Sequence, residues 1–189
     1  MWVATIYTIG HSTRTLDELV AALKAHGIST LVDIRSFPMS RRLPHFNRES
    51  LEVELPRRGI AYVWMRELGG RRKKIRGDSP NTGLRNDSFR NYADYMLTTE
   101  FAQAIERLLA IAQEKVGSST RLRISTTAIM CAERLYFQCH RMMVSDYLTA
   151  HGHAVLHIDD DKRPPRPHKL MAEARLLNGK LVYNAQQLF

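Results

Sequence analysis

The chain enters regular structure with Val3-Ala-Thr-Ile-Tyr-Thr-Ile-Gly10 and continues, after a short loop, with Thr15-Leu-Asp-Glu18. Apolar and β-branched residues fill the first piece, which predicts a strand that ends at Gly10. The second piece has the form of a capping box, in which a Thr hydroxyl and a Glu carboxylate bind the free amides of a helix start. Gly27 predicts the end of that helix. One helical face carries Leu16, Leu19, Val20 and Leu23.

The same alternation of strand and helix continues along the chain. Further strands are predicted at residues 28–34, 60–65, 122–130 and 154–158. Further helices are predicted at residues 48–58, 89–97, 99–115 and 140–151. Strands that alternate with helices form parallel sheets covered on both faces. We therefore expect one α/β domain over residues 1–158, with a mainly parallel sheet of about five strands flanked by helices.

The remaining segment, residues 159–189, differs in composition from the domain before it. It begins with Asp159-Asp-Asp-Lys-Arg-Pro-Pro-Arg-Pro167, where proline opposes regular ladders and charge favours solvent. This stretch is predicted to be an extended linker. Apolar residues return over residues 176–189, and we expect this C-terminal tail to pack back on the domain or on a partner.

Length and composition restrict the class of protein. A chain of 189 residues with 44% hydrophobic content has the size of a single domain with its own core. No apolar run approaches the roughly 20 residues that span a bilayer, and the N-terminus lacks a signal peptide. Two cysteines are too few for a disulfide scaffold. These features predict a cytoplasmic protein with no membrane partner.

The net charge of +9 is concentrated in one part of the chain. Residues 35–90 carry 14 Lys or Arg against 6 Asp or Glu, whereas the rest of the chain carries 14 against 13. Such a patch attracts phosphates, and each phosphate that it neutralises adds affinity through counterion release. Nucleic acid or a phosphate-bearing ligand is the expected partner, and a solvated basic surface is the alternative.

Five loops are predicted to form the ligand site. In open parallel sheets, ligands bind beyond the carboxyl ends of the strands, where the following loops and helix starts converge. The loops are Gly10-His-Ser-Thr-Arg14, Asp33-Ile-Arg-Ser-Phe-Pro38 running to Asn47, Glu67-Leu-Gly-Gly-Arg-Arg72, Cys131-Ala-Glu133 and the turn after Ile158.

The first two loops supply candidate anion-binding residues. His11, Ser12 and Arg14 stand between a glycine and a helix start, a combination that suits an oxyanion, although helix capping explains the hydroxyls equally well. Asp33 and Arg35 end a strand on the same face. They could form a pair with each other or contact a ligand.

The segment from Cys131-Ala-Glu133 to Cys139-His-Arg141 is the richest in reactive groups. Helical spacing places His140 on the core-facing side in the first turn of a helix, with its imidazole aimed at the rim above the sheet. The helix dipole and the neighbouring cations could activate Cys139. Glu133 could accept a proton, orient His140 or hold Arg141 in a bidentate pair. All five residues are candidate catalytic groups.

Other readings of the two cysteines stay open. Each thiol could be a small apolar residue of the core. A zinc site of Cys131, Cys139 and His140 is conceivable, but the spacing matches neither a C-x-x-C pair nor the zinc deaminase signature, so no metal is predicted. A phosphatase-like cysteine loop is disfavoured because Phe137 stands where that loop has arginine.

The basic stretch supplies candidate substrate-binding residues. Phosphate contact and base stacking use cations interleaved with aromatic and amide side chains. We expect this role of Arg41, Arg42, Arg71, Arg72, Arg85 and Asn86. Phe89, Tyr92 and Tyr95 share a helical face, so core packing is the better explanation for at least two of them.

With these motifs assembled, the sequence resembles the family catalogued as domain of unknown function 488. The matching motifs are Tyr7-Thr-Ile-Gly-His-Ser-Thr-Arg14, Leu31-Val-Asp-Ile-Arg-Ser-Phe-Pro38, Ser40-Arg-Arg42, Phe46-Asn47, Glu67-Leu-Gly-Gly70, Phe89-Arg-Asn-Tyr-Ala-Asp-Tyr-Met96, Cys131-Ala-Glu133, Cys139-His-Arg141, Leu181-Val-Tyr183 and Leu188-Phe189. Some members carry a DNA-repair label. The resemblance implies an α/β protein with a link to nucleic acid.

Three functions follow from these expectations. The first is an enzyme, or enzyme-like protein, that acts on nucleic acid or a nucleotide, with residues 35–90 binding phosphate and the Cys131 to Arg141 segment at the reacting centre. The second is a small-molecule hydrolase or transferase for an anionic substrate in the same cleft. The third is a nucleic-acid-binding module without catalysis. The residues specify neither a cofactor nor an oligomeric state.

Overall fold

A computed structural model of the chain has a central sheet of six strands at its core. The structure describes residues 2–75, 77–116 and 123–184. The sheet is built from β1 (Thr5–Gly10), β2 (Thr30–Asp33), β3 (Ala61–Trp64), β6 (Thr127–Cys131), β7 (Ala154–Ile158) and β8 (Arg166–Pro167). Their order across the sheet is β3-β2-β6-β1-β7-β8, and all pairs are parallel except β7 with β8.

Helices and short hairpins surround this sheet. Within the described residues the α-helices are α1 (Leu16–Ala25), α2 (Arg48–Arg57), α3 (Asp87–Met96), α4 (Thr99–Gln113) and α5 (Arg141–Ala150). Two antiparallel pairs join β4 (Lys115–Val116) to β5 (Arg123–Ile124) and β9 (Ala174–Leu177) to β10 (Lys180–Tyr183). The predicted mixed α/β class, with one mainly parallel sheet flanked by helices, is confirmed.

The first strand and helix form as their residues predict. Thr15 caps α1: its hydroxyl accepts from the Glu18 amide, while the Glu18 carboxylate accepts from the Thr15 amide. Gly27 follows the helix with a φ of +67°, a left-handed conformation that favours glycine. This local chemistry turns the chain back across the sheet and starts β2 beside the other core strands.

The sheet separates two apolar cores because its strands bury both faces. Ile9, Leu31 and Met130 face α1 and α2, together with leucines of those helices. Ile6, Val32 and Ile129 face α3, α4 and α5 on the other side. The alternation along each strand decides which residues meet each layer. Cys131 and Cys139 belong to the second of these cores.

Parallel register aligns the ends of the central strands. Gly10 lies opposite Cys131 between β1 and β6, and Asp33 lies opposite Met130 between β2 and β6. Gly10 also lies against the loop that follows β6: a Cβ added at Gly10 would be 1.8 Å from the carbonyl oxygen of Glu133. The absence of a side chain at Gly10 therefore permits the loops after β1 and β6 to pack together.

The segment predicted to be an extended linker contains a short strand of the central sheet. Arg166 and Pro167 form a two-residue strand at the sheet edge, a position that tolerates proline because one side needs no amide donor. Leu181 and Tyr183 of the β9–β10 hairpin are buried in the core below α5. Leu122, Leu188 and Phe189, which the sequence assigned to a strand and to the apolar tail, lie outside the described residues.

The described helices include none that combines enough length with enough apolar character to cross a bilayer.

The contact at Gly10 predicts a specific loss of stability. Replacing Gly10 with Ala should lower the free energy of unfolding by about 1–3 kcal/mol, because the new methyl group forces the loop after β6 away. Thr5→Ala, at the exposed start of the same strand, is the control and should cost less than about 1 kcal/mol. Chemical denaturation measures both; equal effects of the two substitutions would contradict the close packing.

Candidate active site

A cleft of about 1060 Å³ opens at the carboxyl edge of the sheet. It lies between the loops after β1, β2, β6 and β7, as the topology of an open parallel sheet predicts. Its lining includes His11, Arg35, Phe37, Glu133 and Arg134. The loop after β7 adds two further cations at the rim, Arg163 and Arg166.

A second cavity of about 490 Å³ adjoins this cleft. Cys131, Cys139, His140 and Arg71 line it, and the two cavities share Arg35, Phe37, Ala132, Glu133 and Gln138 as walls. The larger cavity does not itself contact the thiols. The reactive groups therefore lie in an open pocket beside the cleft, which we call the chamber.

Three side chains in this chamber form a compact cluster. Nδ1 of His140 lies 3.9 Å from Sγ of Cys131 and 3.8 Å from Sγ of Cys139. On its other side, Nε2 of His140 lies 2.9 Å from the carbonyl oxygen of Ile34. Only a protonated Nε2 can donate to that carbonyl, so the neutral ring presents an unprotonated Nδ1 to both sulfurs. The ring is poised to accept a thiol proton or to bind a cation.

The two thiols differ in their electrostatic surroundings. The neighbouring Cys139 thiol, with further contributions from His140 and the Glu133 amide, brings the pKa of Cys131 well below its usual value. Burial raises the pKa of Cys139. The directions of these two pKa shifts favour Cys131 as the more acidic thiol, and activation of Cys139 stays a prediction. Both thiols are buried, but both face His140.

Arg141 is a positioning residue, which corrects its assignment as a catalytic group. Its side chain is only 1% exposed. The guanidinium donates to the carbonyl oxygens of Glu133 at 2.7 Å and Arg134 at 3.1 Å, and to the Thr8 hydroxyl at 3.3 Å. The predicted bidentate pair with the Glu133 carboxylate is also wrong, since the backbone accepts this bond while the Glu133 side chain is exposed in the cleft.

A buried polar chain behind Arg141 was missed in the sequence. Nδ1 of His157 lies 2.8 Å from the Thr8 hydroxyl, and its Nε2 lies 2.9 Å from Nδ1 of His168. Nε2 of His168 lies 2.8 Å from Asp146, whose second oxygen accepts from the Tyr183 hydroxyl at 3.1 Å. If each ring is neutral, every group in the chain donates to the next: Arg141 to Thr8, Thr8 to His157, His157 to His168, and His168 to Asp146. This chain ties the C-terminal segment to α5 and β1.

The loop between Glu133 and Cys139 is also held by aromatic packing. The Tyr136 ring stacks on the His157 ring with centroids 3.6 Å apart and planes 7° from parallel. Arg141 holds the start of the same loop. These contacts fix the conformation of the loop and so place Cys139 and His140 beside the chamber.

The first loop does not form the expected oxyanion site. The amides of His11 and Ser12 donate to the carbonyls of Cys131 and Ala132, so they continue the sheet ladder and do not face a ligand. The Arg14 guanidinium is bound to the carbonyls of Gly10 and Asp159. Burial lowers the pKa of His11 to about 4, which keeps its ring neutral where it stacks on Phe46. His11 and Ser12 line the cleft, whereas Arg14 does not.

Asp33 and Arg35 form a pair with each other. Nε of Arg35 donates to Asp33 at 2.9 Å, and Tyr62 donates its hydroxyl to the same carboxylate at 2.7 Å. Arg35 also donates to the Phe46 carbonyl and approaches Nε2 of His11. Both members of the pair are buried. Of the two roles open for them, the geometry favours the structural one.

The predicted substrate-binding arginines of residues 41–72 lie in different environments. Arg71 lines the chamber, but its neighbour Arg72 turns back over the Tyr95 ring at 3.6 Å and donates to the Glu67 carbonyl. Arg41 and Arg42 are exposed and line neither cavity. Of these four predicted substrate-binding arginines, Arg71 lies beside the thiols, whereas Arg41, Arg42 and Arg72 line neither cavity.

Farther along the chain, Asn86 has a structural role. Its side chain accepts from the amides of Ser88 and Phe89 and so caps α3. Arg85 is exposed beside it and lines neither the cleft nor the chamber. Tyr92 and Tyr95 are buried, as core packing of that face predicts. The cations at the cleft rim that the sequence missed are Arg134, Arg163 and Arg166.

The fold and the chamber define an open α/β protein with a cysteine and histidine cluster at the carboxyl edge of its sheet. The family model described as domain of unknown function DUF488 matches residues 15–148, well over half of the chain. The chain belongs to this family. Comparison with curated proteins and with solved structures gives no match.

The buried histidine chain predicts a loss of stability in mild acid. Burial, with His168, Arg141 and Arg166 nearby, lowers the pKa of His157 from 6.5 to about 3. Between these values only the unfolded chain takes up the proton, so stability is full above pH 6.5 and falls as the pH drops towards 3. At pH 5 this histidine should cost about 1–2 kcal/mol.

Denaturation midpoints at pH 7 and pH 5 measure this effect in the native protein and in His157→Gln. The native protein should lose more stability than the variant, by about 1–2 kcal/mol. The buried His11 adds a loss of its own that both proteins share. An equal loss in both would contradict a neutral His157 in the fold.

Proposed function

We propose that the protein is an enzyme that acts on a phosphate-bearing substrate, a nucleotide or nucleic acid, bound in the cleft at the carboxyl edge of the sheet. The observation that carries the proposal is the position of the Cys131, Cys139 and His140 cluster in the chamber, whose rim carries unburied cations. The side chains of Cys131, Cys139 and His140 together form its reacting centre. Arg141 is not part of this centre, because its guanidinium is buried and binds the backbone of the loop after β6.

The rim supports phosphate recognition. Arg71 and Arg134 are exposed and line the chamber and the cleft respectively. Arg163 and Arg166 stand on the opposite loop, each beside an aspartate that limits its net charge. Arginine guanidinium groups bind phosphate oxygens in two parallel hydrogen bonds. Cations on two sides of an open cleft are suited to a substrate that carries more than one phosphate.

Exposed apolar side chains beside these cations support contact with a base. Phe37 is 58% exposed and Met39 is 75% exposed, and both line the cleft. The guanidinium groups of Arg66 and Arg71 each lie 5.9 Å from the Phe37 ring. Proteins that bind single strands stack bases on aromatic rings next to cations that follow the backbone. Phe37 is the residue that we assign to this role.

A small anionic substrate is the second candidate. The chamber beside the thiols has about 490 Å³, a volume within the range of small-molecule sites. Such a substrate would contact Arg71 and the cluster without using Arg163 or Arg166. DNA repair remains a proposed setting for the first candidate and rests on the resemblance of the sequence alone.

Loss of the reacting groups should abolish turnover. Incubation with a panel of nucleotides, RNA and single- and double-stranded DNA should give a product that His140→Ala and Cys131→Ser do not form. We expect a rate loss of at least about 100-fold, since acid-base groups contribute roughly that factor. Retained activity in both variants would place the chemistry elsewhere, and binding without any turnover would indicate a non-catalytic module.

Reversal of charge at the rim should weaken binding and its dependence on salt. Arg71→Glu and Arg134→Glu should each reduce the slope of log affinity against log salt by about 1 for a single-stranded probe. Lys24→Glu is the matched control, because Lys24 lies in the last turn of α1 and lines neither the cleft nor the chamber. Equal losses in the control and the rim variants would contradict phosphate binding in this cleft.

A further inference from the structure

We propose that Cys131, Cys139 and His140 bind one zinc-type divalent metal ion, with the fourth coordination position open to the chamber. The inference names a cofactor for the reacting centre and in that role rests on the proposed function. From the spacing of the three residues along the chain, the sequence predicted no metal, and this inference differs from that prediction. That expectation depended on distances along the chain, whereas the ligand atoms converge from the end of β6 and the start of α5.

The distances between the ligand atoms fit a tetrahedral zinc site. The three atoms all lie within 4.8 Å of one another, and Nδ1 of His140 is 3.9 Å and 3.8 Å from the two sulfurs. With Zn–S near 2.3 Å and Zn–N near 2.0–2.1 Å, a tetrahedral centre separates sulfur from nitrogen by about 3.6 Å and the two sulfurs by about 3.8 Å. Movements of less than about 1 Å would therefore complete the site.

The histidine is oriented as metal-binding histidines are. Ligating imidazoles donate their second N–H to a carbonyl or carboxylate, and this bond fixes both the ring and its tautomer. Here Nε2 of His140 meets the Ile34 carbonyl at 2.9 Å, which leaves Nδ1 free for the ion. The amide of Arg141 donates to Sγ of Cys139 at 3.3 Å, a contact that stabilises a thiolate ligand.

Gly70 keeps the nitrogen side of the ring unobstructed. A Cβ at this position would lie 2.4 Å from Nδ1 of His140, closer than real contacts permit. The loop that carries Arg71 therefore approaches the ring only because residue 70 lacks a side chain. Gly70→Ala should displace the ring from both sulfurs and weaken metal binding while leaving all three ligands present.

The ligand set indicates both the class of ion and the use of the fourth position. Thiolate and imidazole ligands favour zinc over magnesium or calcium. In the described part of the chain, no fourth histidine, cysteine or acidic side chain joins the group. Sites with three protein ligands keep a position for water or substrate. Two thiolates and a neutral imidazole cancel the charge of a dipositive ion, so its open position would bind a water or phosphate oxygen as a Lewis acid and without a net charge.

Metal binding can be measured on reduced, chelator-treated protein without any substrate. Competition with a chromophoric chelator should show one equivalent of Zn²⁺ bound. In the absorption spectrum, Co²⁺ should give the intense ligand-field and thiolate charge-transfer bands of a tetrahedral cobalt site with cysteine ligands. Cys131→Ser and His140→Ala should reduce zinc affinity by at least about 100-fold. His26→Ala, a histidine outside the cluster, should leave the affinity unchanged.

A second measurement on the native chain covers variants that fail to fold. Zinc should slow the alkylation of Cys131 and Cys139 in the reduced protein, as mapped by mass spectrometry. The proposal is overturned if the folded native protein binds no zinc, or if zinc leaves both alkylation rates unchanged. A protein that binds zinc but converts no substrate contradicts the proposed function and leaves the metal site standing.

Discussion

The buried guanidinium of Arg141 connects the parts from which the site is built. It projects from the start of α5, binds the carbonyl oxygens of Glu133 and Arg134 in the loop after β6, and reaches the Thr8 hydroxyl on β1. A cation that is 1% exposed needs such partners, because an unpaired buried charge costs several kcal/mol. The loop must therefore keep the path that brings Cys139 and His140 next to Cys131.

This arrangement explains why reactive and structural residues alternate along one short segment. Cys131 ends a buried strand, and His140 stands directly before the helix that Arg141 begins. The same loop is fixed from outside by the stacking of Tyr136 on His157. The cluster therefore lies on rigid elements, which is what a preorganised reacting centre requires. Of the cations at the rim, Arg71, Arg134 and Arg163 lie on loops, and Arg166 begins β8.

The sequence predicted the fold well because its signals are local. The capping box at Thr15 and the alternation of apolar residues act within a single turn or strand, and the structure shows both. The position of His140 followed from helical spacing for the same reason. Arg71 and Arg72 could not be separated in this way, since one faces the chamber and the other faces Tyr95 only in the folded loop.

The unpredicted parts depend on contacts between distant segments. Asp146, His157 and His168 come from a helix, a strand and the C-terminal segment, so no spacing pattern connects them. Their one signal in the sequence is a polar residue within an apolar stretch. Asp146 is such a residue in α5, and His157 is such a residue in β7. The Cys131, Cys139 and His140 geometry was hidden for a related reason. The segment between Cys131 and Cys139 contains a short turn at Tyr136–Gln138, and no ligand-spacing rule describes such a segment.

The fold holds His140 with an unprotonated Nδ1 facing both thiols. Long-range correlation of the imidazole protons with the ring nitrogens, in metal-free reduced protein at pH 8, reports the tautomer directly. The structure predicts a protonated Nε2, bound to the Ile34 carbonyl, and an unprotonated Nδ1. A ring protonated at Nδ1, or one that exchanges freely between the two tautomers, would contradict the account.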